Sequence, residues 1–143
     1  MGVTGGETLE HVRRVMAGDR YAVEATGIEL LSAGRDEVRC RLLVDDRHRN
    51  VRGVVMGGAL FTMADYGAAV LANYDGIVAD SHIAWVTVSS EIHFLTAADD
   101  GELQSQSIFV RRGRRMVVMQ TDITDSRQRH VARIITTSTL VEP

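Results

Sequence analysis

The chain contains no lysine; all sixteen of its basic residues are arginine. That absence excludes a phosphate-loop lysine, a Schiff-base lysine and a lysine general base. A single cysteine, Cys40, excludes an internal disulfide and every multi-cysteine zinc or iron–sulfur pattern, and a lone thiol fits a reducing compartment. The one proline is the last residue, so no interior element is broken by one. Long apolar runs are also missing. The longest lies around Ala59–Ala72, is interrupted by Asp65, and is too short to span a bilayer. Met1–Gly6 lacks the charged and apolar regions of a signal peptide, and Gly6 stands where myristoylation would need Ser or Thr. A cytoplasmic protein without a membrane segment is therefore expected. The five histidines show no metal-ligand spacing, so no metal and no cofactor are expected either.

What remains is 143 residues of ordinary globular composition, 45% hydrophobic and 24% charged, enough for one domain spanning 1–143. A net charge of −3 with few aromatics argues against nucleic acid as a partner. Glu7–Ala17 reads as a short amphipathic helix with Leu9, Val12, Val15 and Met16 on one face, Thr4 or Thr8 as cap and Gly18 as stop. Two alternating strands follow, carrying Ile28, Leu30, Ser32 and then Val38, Cys40, Leu42, Val44, with a turn at Gly34–Asp36. Ala59–Asn73 is the one long helix candidate, stopped by Asn73-Tyr74-Asp75-Gly76. Over His82–Leu95 a single alternation sets Ala84, Val86, Val88, Ile92 and Phe94 against Trp85, Thr87, Ser89, Glu91 and His93. Asp99–Gly101, Arg112–Arg114 and Asp125–Gln128 are hairpin signals separating strands near 102–110, 115–124 and 130–141. The order predicts an α+β domain, with a long helix laid on a curved antiparallel sheet of about six strands.

Between Gly57 and Asn73 the helix carries one ionisable carboxylate, Asp65. A helix apolar nearly all round is a buried one. A carboxylate there loses hydration and holds its proton more tightly unless donors surround it. It is then a general base or nucleophile, or else an aspartate at a solvent-facing gap or beside an arginine. At the helix start, Gly57-Gly58 offers bare N–H groups at the positive end of the dipole, able to hold a carbonyl oxygen or oxyanion. Glycines placed only for a tight turn would look the same. Gly58 and Asp65 are about 10 Å apart along the axis, too far for one carbonyl to use both within a chain. A two-fold dimer with antiparallel helices would unite them in two equivalent sites.

The segment Asn50-Val51-Arg52-Gly53-Val54-Val55-Met56-Gly57-Gly58-Ala59-Leu60-Phe61-Thr62-Met63-Ala64-Asp65, with Val86–Leu95, Gly101 and Gly113-Arg114, resembles the hotdog-fold acyl-CoA thioesterases of the phenylacetyl-CoA and 4-hydroxybenzoyl-CoA type. The resemblance implies that Asp65 is the catalytic carboxylate and that the Gly57 N–H polarises the thioester carbonyl. Asn50 would position water or substrate from the opposite subunit, and Thr87 would assist the water. It further implies an acyl-CoA substrate, a homodimer with one continuous sheet, and commonly a homotetramer built from two dimers. Met56 stands where many relatives carry histidine, beside Gly58 at the substrate, and cannot donate a hydrogen bond or titrate. The alternative is a hotdog acyl-CoA-binding or regulatory module without turnover; a hotdog dehydratase ranks below both. Arg112 and Arg114, on the Arg111–Arg115 hairpin tip, suit coenzyme A phosphates, or form a solvated turn. Arg47, Arg49 and Arg52 pose the same pair of readings.

Overall fold

The computed structural model describes residues 5–99 and 101–142. In chain order these form α1 (Gly5–Met16), a π-helix (Tyr21–Thr26), β1 (Glu29–Ala33), β2 (Glu37–Leu43), a 3-10 turn (Asp46–His48), α2 (Gly57–Val78), β3 (Trp85–Phe94), β4 (Glu102–Arg112), β5 (Met116–Thr124) and β6 (His130–Leu140). All six strands join one antiparallel sheet in the order β1-β2-β4-β5-β6-β3. The long helix packs across it, as an α+β hotdog domain requires.

The core follows from period-two strands meeting an apolar helix. Val38, Cys40 and Leu42 on β2, Leu103, Ser105 and Ser107 on β4, Val117, Met119, Thr121 and Ile123 on β5, and Ile134 and Thr136 on β6 are all buried. From α2 they receive Leu60, Met63, Ala64, Gly67, Ala68, Val70 and Leu71. Closest approach is at Gly67, where a Cβ would stand 2.8 Å from the Ser107 hydroxyl oxygen. That hydroxyl is itself paired with Thr121 at 2.8 Å.

Four details differ from the sequence expectation. First, α2 does not stop at Asn73; it runs on to Val78. Asn73 does not break the helix because its amide is spent elsewhere. It donates to the Ala69 and Trp85 carbonyls and accepts from the Ala84 and Trp85 N–H groups, pinning the start of β3 to the helix. Second, the connection through Asp99 and Gly101 is no hairpin, since β3 and β4 lie at different places in the sheet; Asp100 itself lies outside the described residues. Third, Thr8 lies inside α1 rather than capping it, while Thr4 lies outside the described residues. The Arg112–Arg114 and Asp125–Gln128 hairpins form as expected, the second organised by the Asp125 carboxylate, which accepts from Arg127 and Arg129 N–H.

The fourth difference matters most for function. The register of β3 against β6 shifts between Thr87 and Ser89, so a bulge interrupts the alternation. Thr87 pairs with buried Ser138, and beyond the bulge Ser90, Ile92 and Phe94 pair with Thr136, Ile134 and Ala132, all buried positions of β6. Thr87 therefore shares the helix-facing side with Ile92 and Phe94, whereas an unbroken alternation would have opposed them. Val86 and Val88 are exposed.

Candidate active site

Asp65 sits midway along α2, half-buried, on the side that faces β3. The Thr87 hydroxyl donates to its Oδ1 at 3.4 Å, so the structure brings these two predicted residues together. Burial pushes the Asp65 carboxyl above its ordinary value; the Thr87 hydrogen bond opposes that shift, and the charge of Asp19 adds to it. No arginine pairs with Asp65 among the described residues. Asp65 is thus neither neutralised nor fully solvated, which is the condition for a base that works near neutrality.

Gly57 and Asn50 meet in a different place. Both line a groove of 330 Å³ together with Val54, Leu60, Phe94 and Leu95. Gly57 is the first residue of α2, where N–H groups have no acceptor within the helix. A Cβ there would stand 2.9 Å from the tip of the Phe94 ring, so a larger residue would have to push that exposed ring aside. The Asn50 side chain holds its own loop, its Oδ1 accepting from Arg52 N–H at 2.9 Å and Val54 N–H at 3.4 Å. Met56 precedes the helix with an extended backbone, no side-chain cap and 46% exposure. Along α2, Gly57 and Asp65 are separated by about 12 Å of helix rise. One chain therefore carries two half-sites, with Asp65 and Thr87 in one and Gly57 and Asn50 in the other.

A histidine that carries no motif anchors the second half. His48 is buried, its Nε2 donating to the Thr26 carbonyl at 2.6 Å while its Nδ1 accepts from Asp45 N–H at 3.0 Å. Those partners assign the neutral ring with its proton on Nε2. Its own carbonyl accepts from Met56 N–H at 2.8 Å, tying the approach to Gly57 to the π-helix. Arg47 and Arg49 serve the same scaffold: Arg47 donates to the Ala25 carbonyl and Arg49 to that of Gly53.

Arg112 is engaged rather than free. Its guanidinium stacks 3.9 Å from the Phe109 ring centre, faces Asp36 at 3.5 Å and donates to the Arg35 carbonyl. With Arg35 it borders a cavity of 220 Å³ walled by Leu71, Ala72, Trp85 and Phe109. Ala72 lies on the Asp65 face of α2 two turns on, and Trp85 lies two residues before Thr87 on the same face of β3. The cavity therefore lies on the same faces of α2 and β3 as Asp65 and Thr87, about 10 Å further along the helix. Arg114 occupies the exposed hairpin tip. Cys40, pushed up to about 12 by burial, is no nucleophile. No cluster of metal-ligating side chains occurs among the described residues, and no described helix is long and apolar enough to cross a membrane.

Sequence reasoning overlooked the segment between α1 and β1. Asp19, Tyr21, Phe61 and Tyr66 gather with Asp65 around a hollow of 470 Å³. The one signal that could have found it is an aspartate and a tyrosine just past the Gly18 stop, in a chain with few aromatics.

Comparison with known proteins bears on this arrangement. The family model of the Thioesterase superfamily matches residues 52–132, more than half of the chain. A Deinococcus radiodurans protein provisionally named an esterase is 32% identical over 97 residues; the match covers 63% of this chain and 66% of that protein's length. The PaaI protein of the E. coli phenylacetic acid degradation operon superposes with a TM-score of 0.82 over 97% of each chain, at 20% identity. A hypothetical thioesterase of Streptococcus pneumoniae, solved with coenzyme A, is 26% identical and has a TM-score of 0.71, covering 88% of this chain and 96% of that one.

Proposed function

Because this chain belongs to the thioesterase superfamily, we propose that it hydrolyses acyl-CoA thioesters at a site completed when two copies pair through their β3 strands. The observation that carries this reading is the division of the site into two half-sites joined by one strand. Asp65 is bonded to Thr87 near the start of β3, and Gly57 lies against Phe94 at its end.

β3 is an edge strand of ten residues with Val86, Val88 and Phe94 exposed, and no described strand pairs with its outer side. Antiparallel pairing of two such edges about a two-fold at Glu91, with Val88 as the extra residue of the bulge, sets Thr87 opposite Phe94 of the partner subunit. The bulge makes this pairing useful, because it leaves both residues on the helix-facing side. Gly57 of the partner subunit, held against that phenylalanine, then approaches Asp65. The same operation makes the second site.

At such a site the thioester oxygen accepts from the Gly57 N–H of the partner subunit, at the positive end of its α2. Asp65 takes a proton from water as the water oxygen attacks the carbonyl carbon, or attacks that carbon itself. The Thr87 hydroxyl holds the carboxylate in line. Collapse of the tetrahedral intermediate breaks the C–S bond. The leaving sulfur takes the proton that Asp65 holds when water attacks, or one from solvent when Asp65 attacks. In that second case water then cleaves the Asp65–acyl anhydride to free the acid and restore the carboxylate. Asn50 keeps the loop before Gly57 closed and lines the same groove. The pantetheine arm follows the groove past Ala72 and Trp85 toward Arg112 and Arg114, whose guanidinium groups suit its phosphates. A substrate of the CoA-thioester class fits the pneumococcal relative's coenzyme A. A cytoplasmic setting agrees with the lone Cys40 thiol, and pairing of two dimers into a tetramer completes the proposed assembly.

Release of free thiol from aromatic and aliphatic acyl-CoAs, by wild type beside Asp65→Asn, tests the reading. Turnover that disappears in a folded Asp65→Asn protein supports it. Binding of acyl-CoA without thiol release by wild type would refute it. It would favour the binding-module reading, which Met56 supports because its side chain offers the substrate no donor at the helix start.

A further inference from the structure

We propose that the hollow between the Tyr21–Thr26 π-helix and α2 is the acyl subsite, that Tyr21 and Phe61 are its selecting walls, and that Asp19 turns away acyl groups ending in a carboxylate. This assignment rests on the thioesterase reading and adds the substrate class to it.

Direction comes first. If the coenzyme A arm leaves Asp65 toward Ala72 and the arginines, the acyl group must leave on the other side of the thioester carbon. On that side α2 presents Phe61, Thr62 and Tyr66, and the hollow they share with Asp19, Tyr21 and Ala22 reaches Asp65 directly. Its 470 Å³ lies within the ordinary size of small-molecule pockets.

Composition follows. The whole chain has three tyrosines and three phenylalanines, yet Tyr21, Tyr66 and Phe61 meet here. Tyr66 is buried, whereas Tyr21 is 73% and Phe61 39% exposed. Two open aromatic faces beside a reactive carboxylate offer stacking and apolar contact to a flat or branched acyl group.

The wall is also fixed in place. The π-helix ends at Gly27, whose φ of 88° suits glycine, and its Ala22 carbonyl accepts from both Gly27 and Ile28 N–H. The Arg47 guanidinium donates to the Ala25 carbonyl, and His48 holds Thr26. π-helical turns are rare and concentrate at functional sites. Here the turn sets Tyr21 at its first position, next to α2.

Charge decides the class. Arg20 is already satisfied by Glu24, through three contacts at 3.1–3.2 Å. No described residue forms a hydrogen bond or ion pair with the Asp19 carboxylate. The unbalanced charge of the hollow is therefore negative, from Asp19 and Asp65 together. The two carboxylates sense each other, since Asp19 adds to the upward shift that burial gives Asp65. An acyl group bearing its own carboxylate would be a third negative charge in a half-desolvated space. A neutral apolar one meets no such cost.

The experiment compares kcat/KM for acetyl-, hexanoyl-, phenylacetyl- and adipoyl-CoA in wild type, Asp19→Asn, Tyr21→Phe and Tyr21→Ala. Wild type is expected to prefer hexanoyl- over adipoyl-CoA by about tenfold or more, the size of one close like-charge interaction. Asp19→Asn narrows that ratio several-fold. Tyr21→Ala lowers kcat/KM for phenylacetyl-CoA about tenfold more than for acetyl-CoA, and Tyr21→Phe does not, because the ring face makes the contact. Equal effects of Tyr21→Ala on both esters, or an unchanged hexanoyl-to-adipoyl ratio in Asp19→Asn, would overturn the assignment. Dissociation constants for the same esters, read by calorimetry, carry the same ratios. They decide the subsite even if wild type releases no thiol, an outcome that would instead remove the thioesterase reading.

Discussion

Two glycines of α2 should respond in opposite directions to one substitution. Gly67→Ala adds a methyl where the Ser107 Oγ stands 2.8 Å away, with Cys40 Sγ at 3.8 Å and Ser105 Oγ at 3.9 Å. Alanine in a helix interior gains about 1 kcal/mol over glycine. Against this, overpacking a closed core costs about 1–3 kcal/mol. Displacing the fully buried Ser107 hydroxyl from Thr121 adds about 1 kcal/mol more. The sum is a loss of about 1–3 kcal/mol, or a Tm lower by about 3–10 °C for a chain of this length. Gly58→Ala meets only Met56 Cε at 3.9 Å on an exposed first turn. It should gain about 0.5 kcal/mol and raise Tm by about 2 °C. Thermal and urea unfolding at one protein concentration would measure both, since association shifts apparent stability. If Gly67→Ala stabilised the protein, the close approach of α2 to β4 would be wrong. A cycle with Ser107→Ala adds a check: removing the Oγ should make the double variant less destabilised than the two losses added together, by about 1 kcal/mol.

Two further expectations concern the site. The acid limb of kcat/KM should lie above the ordinary carboxylate value of 3.8, because burial favours protonated Asp65 and activity requires the ionised form. Thr87→Val, which deletes the opposing hydrogen bond, should move that limb further up; a limb that stays put or falls would break the link between Thr87 and Asp65. For stability the sign is reversed: the folded state binds this proton more tightly than the unfolded one, so the contribution is present at low pH and is lost as pH rises through the raised value. The shared site is checked by mixing Asp65→Ala chains with Gly57→Val chains, each inactive alone. Exchange should restore up to one working site per mixed dimer, whereas proven exchange without recovery would contradict a site shared across β3.

Much of this molecule was legible in the sequence because its patterns are local. Alternation over Val38–Val44 placed β2, and two turn signals placed the last hairpins, since period and turn chemistry are properties of a few adjacent residues. An isolated carboxylate in an apolar helix marked Asp65 for the same reason. The helix stop at Asn73-Tyr74-Asp75-Gly76 misled because a side chain that disfavours helices in isolation makes three hydrogen bonds to Ala84 and Trp85 at the start of β3 and a fourth to Ala69 of its own helix. The π-helix had no signature, because its shape depends on Arg47 and His48 from 20 or more residues away.

The sequence alone determined the composition of each half-site: a lone aspartate within an apolar helix, and two glycines at that helix's start. Whether Asp65 was solvated, paired with arginine or left to act was decided only by tertiary structure, which buries it halfway and offers it one hydroxyl. Tertiary structure also set the bulge that turns Thr87 and Phe94 to one face, and the connector that brings Asp19 and Tyr21 to the aspartate. Periodicity reports which way a side chain points relative to its neighbours in sequence. A shift of one residue in strand register reverses that direction, and register belongs to the pair of strands rather than to either one.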